Sequence, residues 1–528
     1  MNLRTTGACA AALLATCALL APGCGSGTTI IEVVGPSGDA GAKASGSDDA
    51  SPLPDEDATA HVDATVGSND GATGSNDDAT VGPMGDATGG GSDGGPMDAG
   101  ATDTGTSTMD GPVTVPVDAS CWGTATSVSG KVYDPAGTNP IPHAFVFVPT
   151  DPNGTIPTIT PGATTCDTCG VPIGSYVAAT MSDATGSFSL SGVPAGTHVP
   201  IVVQLGKWRR ETFVTVTACQ NTTLTPDSTR LPATQAEGDM PAMALVTGGA
   251  DNLGCLVRRF GIGTQEFKSP HAGGRLDVYK GLPSSSILGF TAGAPGLSSG
   301  TAGDCTTDNA NCVWNSKSNL ESYDLVLLSC QGSTYDATVD AGTSTSNITT
   351  SSKQALHDWL GEGGKVFATH FHYTWFANGP SDFRGLATWL GGSTAAAQGT
   401  YTVETSFPKA QDFANGLADA GLIMNGGLPM TNVGTSVSTV NSPALSWIQD
   451  PSNQDTKYFS FTTPVGSACG KVAFSDLHAG GSPSGDLPAS CTTGALTAQE
   501  RAMELLFFDL SACVSDDTKA PPSPPASN

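Results

Sequence analysis

Positive charge is scarce in this chain. Of 528 residues only 21 are Lys or Arg, against 49 Asp or Glu, a formal net charge of −28. Phosphate backbones are held mainly by Lys and Arg that release counterions, so no nucleic-acid partner is expected. Charge-driven adsorption to anionic lipid is a poor fit for the same reason. Aromatic residues make up 6%, and the first of them is Trp122. No stretch of about 18 unbroken apolar residues occurs, so no membrane-spanning helix is predicted. What the chain has in excess is Gly (67) and Pro (36). A length of 528 would otherwise suggest three or four domains at roughly 150 residues each.

Much of the acidity is concentrated. Residues 25–118 hold 17 Asp and Glu and a single basic residue, Lys43. Without aromatics or sustained apolar runs this segment cannot offset the entropy of ordering itself. Asp63-Ala64-Thr65-Val66-Gly67 returns as Asp78-Ala79-Thr80-Val81-Gly82, with a partial copy at Asp86-Ala87-Thr88-Gly89. Calcium loops need a fixed ligand spacing that these copies lack. The segment therefore reads as a disordered, self-repelling tether.

Residues 1–24 read as an export signal: Arg4, then an apolar stretch from Ala8 to Leu20, then Pro22-Gly23 before Cys24. The segment Leu20-Ala21-Pro22-Gly23-Cys24 resembles a bacterial lipobox, departing from it at Ala21 and Pro22. The resemblance implies lipidation at Cys24 and a membrane partner reached through that anchor. Gly25 rather than Asp after the cysteine implies the outer membrane. Ordinary signal cleavage is the alternative. Eleven cysteines follow Cys24, and an exported chain permits disulfides among them. Cys166 with Cys169, Cys305 with Cys312 and Cys121 with Cys219 are candidate pairs, and an odd number leaves one thiol over.

Residues 119–232 have the texture of strands and turns. Ser127 to Asp134, Ala144 to Val148, Gly186 to Leu190, Val199 to Leu205 and Thr212 to Val216 are short apolar or alternating runs broken by Gly and Pro. The pattern predicts an antiparallel β-sandwich. Ser129-Gly130-Lys131-Val132-Tyr133-Asp134, Ile141 to Val146 and Thr180 to Phe188 resemble the carboxypeptidase regulatory-like (transthyretin-like) domain. That resemblance implies a spacer or binding module. Trp208, in Lys207-Trp208-Arg209-Arg210, is either a stacking platform for a ligand or a half-buried strand end.

Residues 238–514 change character, and 515–528 are expected to be a disordered tail. Met243 to Thr247, Tyr323 to Cys330, Lys365 to His370 and Lys471 to Asp476 are apolar runs without alternation, separated by segments of helical spacing. They predict an α/β domain with a mostly parallel sheet covered on both faces. A last helix begins at Thr497, with Glu500 placed for a capping box. The order is similar to the ThuA-like and class I glutamine-amidotransferase-like fold, on Tyr323 to Leu328, Trp359 to His370 and Gly470 to His478. An amidotransferase would need an elbow cysteine where Thr369-His370-Phe371-His372-Tyr373 stands, so glutamine hydrolysis is not expected.

Ligands of open parallel sheets bind beyond the carboxyl ends of the strands. Three such ends carry reactive groups: Cys330-Gln331, His370-Phe371-His372 and Asp476-Leu477-His478. Alternate residues of an extended strand face one way. His370 and His372 could thus face one point, and Asp476 and His478 another. One reading is a zinc or iron site of His370, His372, Asp476 and His478. A second is a hydrolase with Cys330 as nucleophile and His370 or His478 as base. A third is a polar rim that binds a ligand, with Gln331, Tyr373 and Trp375 in contact with it. The leading expectation is an envelope protein that recognises a carbohydrate or another envelope ligand without turnover. A hydrolase or carbohydrate-modifying enzyme is the alternative.

Overall fold

A computed structural model describes residues 121, 124–162, 164–167, 169, 174–279, 281, 313–339, 348–479, 487–492, 494–522 and 524. The export signal, Cys24, the acidic segment, Cys305 and Cys312 lie outside these residues. All described residues belong to one compact unit.

The first part contributes seven strands: β1 (Ser127–Lys131), β2 (Phe145–Pro149), β3 (Tyr176–Met181), β4 (Ser187–Ser191), β5 (Gly196–Leu205), β6 (Trp208–Val216) and β7 (Asn221–Thr223). They form a three-stranded sheet, β4-β1-β7, and a four-stranded sheet, β3-β2-β5-β6. Every predicted run is a strand. The short β7 pairs parallel to β1.

The second part builds a ten-stranded sheet. Its strands are β8 (Met243–Val246), β9 (Phe267–Lys268), β10 (Leu276–Tyr279), β11 (Leu325–Leu328), β12 (Lys365–Thr369), β13 (Ala387–Val403), β14 (Leu428–Val440), β15 (Leu445–Gln449), β16 (Thr456–Thr463) and β17 (Gly470–Ser475). The spatial order is β14-β13-β15-β16-β17-β12-β11-β8-β10-β9. From β17 to β9 every pairing is parallel. From β17 to β14 every pairing is antiparallel. This antiparallel extension is not announced by apolar runs, because β13 is built largely of Gly, Ala and Thr.

The parallel strands are apolar throughout because both faces are covered. Leu245, Leu325, Leu327, Phe367 and Ala473 pack with helices α1 (Leu253–Arg259) and α4 (Ala498–Ser511). The alternate residues Val246, Val326, Leu328, Val366 and Phe474 pack with Leu356, Trp359 and Leu360 of helix α2 (Thr350–Gly361). A fourth helix, α3 (Pro408–Asp419), packs beside α4. The α4 N-terminus carries the expected capping box of Thr497 and Glu500.

The core of the two small sheets is continuous with one face of the large one. Helix α4 joins them, and its charged residues Glu500, Arg501 and Glu504 are buried. Arg501 bonds to Glu504 and to the Pro140 carbonyl, and Arg259 bonds to Glu500 at 2.5 Å.

Four disulfides fit maturation in an oxidising compartment. Cys121 pairs with Cys219 as expected. The proposed Cys166–Cys169 loop is corrected: Cys166 joins Cys469 and Cys169 joins Cys513. Both bonds tie the first part to the second, and Cys255–Cys491 lies within the second. The expectation of a loose tail from 515 is corrected at its start. Asp517 is buried and bonds Lys409 and Lys471 at 2.8 Å each. Among the described residues no helix is long and apolar enough to cross a membrane.

Candidate functional site

Taken in chain order, the five main parallel strands β8, β10, β11, β12 and β17 lie in space as second, first, third, fourth, fifth. The connection after β8 runs toward β9 and β10 and the one after β11 runs toward β12, in opposite directions. Ligands of open parallel sheets bind beyond the carboxyl ends of the strands at such a switch point. β11, β12 and β17 are adjacent and in parallel register, so their ends share one rim. The approach is close on this rim. A β-carbon on Gly248 would stand 2.1 Å from the Cys330 carbonyl oxygen, so only glycine fits there.

Cys330 follows β11 and is fully buried; it is the one free cysteine among the described residues. Its amide donates to Thr369 Oγ1 at 2.8 Å, and that hydroxyl donates to the Leu328 carbonyl at 3.1 Å. Its Sγ lies 3.5 Å from His370 Nδ1.

At His370 the chain stops being extended. His370 has φ +39°, and His370–Tyr373 forms a tight 3₁₀ turn. Left-handed backbone is disfavoured by roughly 1–2 kcal/mol for a residue with a β-carbon. The turn separates the two histidines, because strand alternation holds only while the backbone is extended. His372 has both ring nitrogens engaged: Nε2–H donates to the Ser329 carbonyl at 3.0 Å, and Nδ1 accepts from Trp375 Nε1 at 3.0 Å. The expectation that His370 and His372 face one point is thereby corrected.

β17 ends at Ser475, whose Oγ accepts from the Leu477 amide at 3.0 Å. Asp476 accepts the Ser436 amide and hydroxyl, both at 2.7 Å. His478 instead meets His370 edge to face, with ring centroids 4.8 Å apart at 82°. Its Nδ1–H donates to the Asn432 carbonyl at 2.9 Å, which leaves Nε2 as the free lone pair. Donor atoms of Cys330, His370 and His478 all lie within 4.8 Å of one another. The structure thus assembles Cys330, His370 and His478. It does not bring His372 and Asp476 into that group.

Burial sets the charge states. It pushes the Cys330 thiol up to about 12, with Asp251 and Asp476 adding to the effect. It pushes His370 down to about 4, helped by His478 and opposed by the Ser393 backbone. His372 is likewise held at about 4 by burial. Burial raises Asp476 to about 6, against its bonds to Ser436. Cys330 and His370 therefore rest as neutral thiol and neutral imidazole. An activated cysteine nucleophile needs a depressed thiol pKa.

Gln331 follows Cys330 and is 2% exposed. Neither its Oε1 nor its Nε2 has a hydrogen-bond partner among the described residues, and the same holds for Ser329 Oγ. Buried amides are nearly always paired, so such a group marks a place where another polar atom belongs.

Asp251 is a site residue that apolar runs and spacing do not reveal. It follows β8, and its Oδ1 accepts the amides of Asn252 at 2.8 Å and Ala479 at 2.6 Å. It thereby joins the loop after β8 to the loop after β17. Burial raises its carboxyl above the usual value, against the charge of His478. The strand-end rule applied to β8 as well would have found it.

Two aromatic expectations change. Trp375 is buried against Trp314, ring centroids 5.1 Å apart, and serves to orient His372. Trp208 is fully buried against Phe507 and Phe508 of α4, so it is core and not a stacking platform. Tyr373 lies beside Trp389, centroids 6.3 Å apart.

No protein-family model matches the chain, and no curated protein does. Among solved structures, the cytoplasmic protein STM3548 from Salmonella typhimurium is 11% identical with a TM-score of 0.23, covering 39% of this chain and 80% of that one. The cytoplasmic protein STM1381 from Salmonella typhimurium LT2 is 12% identical with a TM-score of 0.24, covering 39% and 79%. The mmIFT52 N-terminal domain is 11% identical with a TM-score of 0.22, covering 37% and 80%. Likenesses at these TM-scores assign neither fold nor activity.

Proposed function

We propose that this chain is an exported, lipid-anchored envelope protein whose α/β part recognises a carbohydrate-class polar ligand at the strand-end rim without turnover. In this reading residues 119–232 are a β-sandwich of the carboxypeptidase regulatory-like kind, and residues 238–514 are a ThuA-like domain. The single observation that carries ligand recognition is the Gln331 amide, buried at the strand-end rim with neither of its polar atoms bonded among the described residues. A sugar hydroxyl both donates and accepts, and so satisfies an amide on either side. The four disulfides support export. Anchoring rests on the segment ending at Cys24. Nucleophilic turnover at Cys330 gains no support from a thiol that burial pushes up to about 12.

The test is a glycan array probed with the mature chain and with Gln331→Leu. Retention of a glycan by the first, lost in the second with no chemical change to the glycan, supports the reading. Equal retention by both chains sinks it. Labelled palmitate tests the anchor, and a Cys24→Ser chain that labels like wild type would refute it.

A further inference from the structure

We infer that Cys330, His370 and His478 form a binding site for one zinc-class divalent cation. The inference uses different atoms from the Gln331 amide and does not depend on what that amide holds.

Three donors from three adjacent strand ends converge, and their ligand atoms lie within 4.8 Å of one another. A tetrahedral zinc site, with Zn–S about 2.3 Å and Zn–N about 2.0–2.1 Å, separates its donors by about 3.3–3.7 Å. Cys330 Sγ and His370 Nδ1 already stand 3.5 Å apart. The widest pair must close by about 1.1–1.5 Å to reach that spacing.

The surroundings are those of a ligand set. Metal-bound imidazoles characteristically donate their second N–H to a backbone carbonyl, which fixes tautomer and ring orientation. His478 does so through Asn432 at 2.9 Å, leaving Nε2 toward the cluster. His370 holds left-handed backbone at φ +39°, a conformation uncommon for a residue with a β-carbon.

The donor set selects the ion. One sulfur and two imidazoles suit a borderline-soft cation, whereas Mg²⁺ and Ca²⁺ require oxygen ligands. Of the neighbouring carboxylates, Asp476 is held by Ser436, while Asp251 gives Oδ1 to two backbone amides and its Oδ2 has no partner among the described residues. Among the described residues no fourth Cys, His, Asp or Glu joins the group. Among the described residues the fourth position is thus left to water or a small ligand, as in zinc sites that keep three protein ligands.

The experiment uses the full mature chain, stripped with chelator and dialysed against Co²⁺ or Zn²⁺. Wild type is expected to retain one metal per chain and to show a thiolate-to-cobalt charge-transfer band in the near ultraviolet. Cys330→Ser should lose that band, and His478→Ala should lose stoichiometric metal. Added Zn²⁺ should raise the thermal midpoint of wild type and leave that of His478→Ala unmoved, which separates lost binding from lost folding. A folded wild type that retains no metal overturns the inference. A Cys330→Ser chain that keeps the band overturns it equally. Glycan retention lost in Gln331→Leu while cobalt binding stays normal would leave both readings standing on separate evidence.

Discussion

Gly434 lies directly against the imidazole of His370: a β-carbon at position 434 would stand 2.7 Å from Cδ2 and 2.8 Å from Nε2. No methyl group fits at that distance, so the buried ring or the backbone at 434 must shift. Gly434→Ala should therefore tilt His370 away from Cys330 while leaving the sheet intact. The expected outcome is a loss of about 10–100-fold in zinc affinity, read by competition with a chromophoric chelator. Unchanged affinity would mean that the ring orientation has no part in the site.

The covalent frame gives a second prediction. Cleaving the oxidised chain without reduction should yield peptides joining Cys166 to Cys469 and Cys169 to Cys513. A peptide joining Cys166 to Cys169 would contradict the fold. Cys166→Ser with Cys469→Ser should lower unfolding stability by about 2–5 kcal/mol in urea titrations.

A third concerns acid. Lys409 and Lys471 reach Asp509 at 3.0 and 2.6 Å. Burial pushes the Asp509 carboxyl upward, but the two ammonium groups outweigh it and hold it well below its usual value near 3.8. A depressed folded-state value means that the stability it contributes is complete above about pH 4 and is lost as pH falls further. Asp509→Asn should lower stability at pH 7 by about 1.5–3 kcal/mol, since it removes one of two carboxylates from buried ammonium groups that keep Asp517. It should also flatten the decline below pH 4. A parallel decline in both chains would show that Asp509 does not titrate this transition.

The fourth separates core from surface. Trp208 is fully buried between the small sheets and α4. Trp208→Ala should destabilise the chain by about 3–5 kcal/mol. At a temperature where the variant stays folded, its glycan retention should match wild type. A stable variant with lost retention would restore the stacking-platform reading.

Much of the fold was legible in the sequence because burial on both faces leaves a plain trace. Leu325 to Leu328 and Val366 to Ala368 are unbroken apolar runs, and the structure makes each a central parallel strand. The antiparallel half was not legible. The 17 residues of β13 are mostly small or hydroxylic and its pairing with β14 shifts register repeatedly, so no period of two survives. The disulfides were not legible either, since Cys166 and Cys469 are 303 residues apart and only packing brings them together.

The sequence by itself determined which strand ends bear reactive side chains, because an apolar run that stops at Cys330, His370 or Asp476 must emerge at one rim of a parallel sheet. Only the tertiary structure decided which of those side chains meet. The backbone turns left-handed at His370 and bends again after Ser475. Those turns cancel the strand alternation that would have paired His370 with His372. They bring His478 in place of Asp476 to the thiol of Cys330. Alternation is a property of extended backbone, and catalytic or ligating residues stand where that backbone ends.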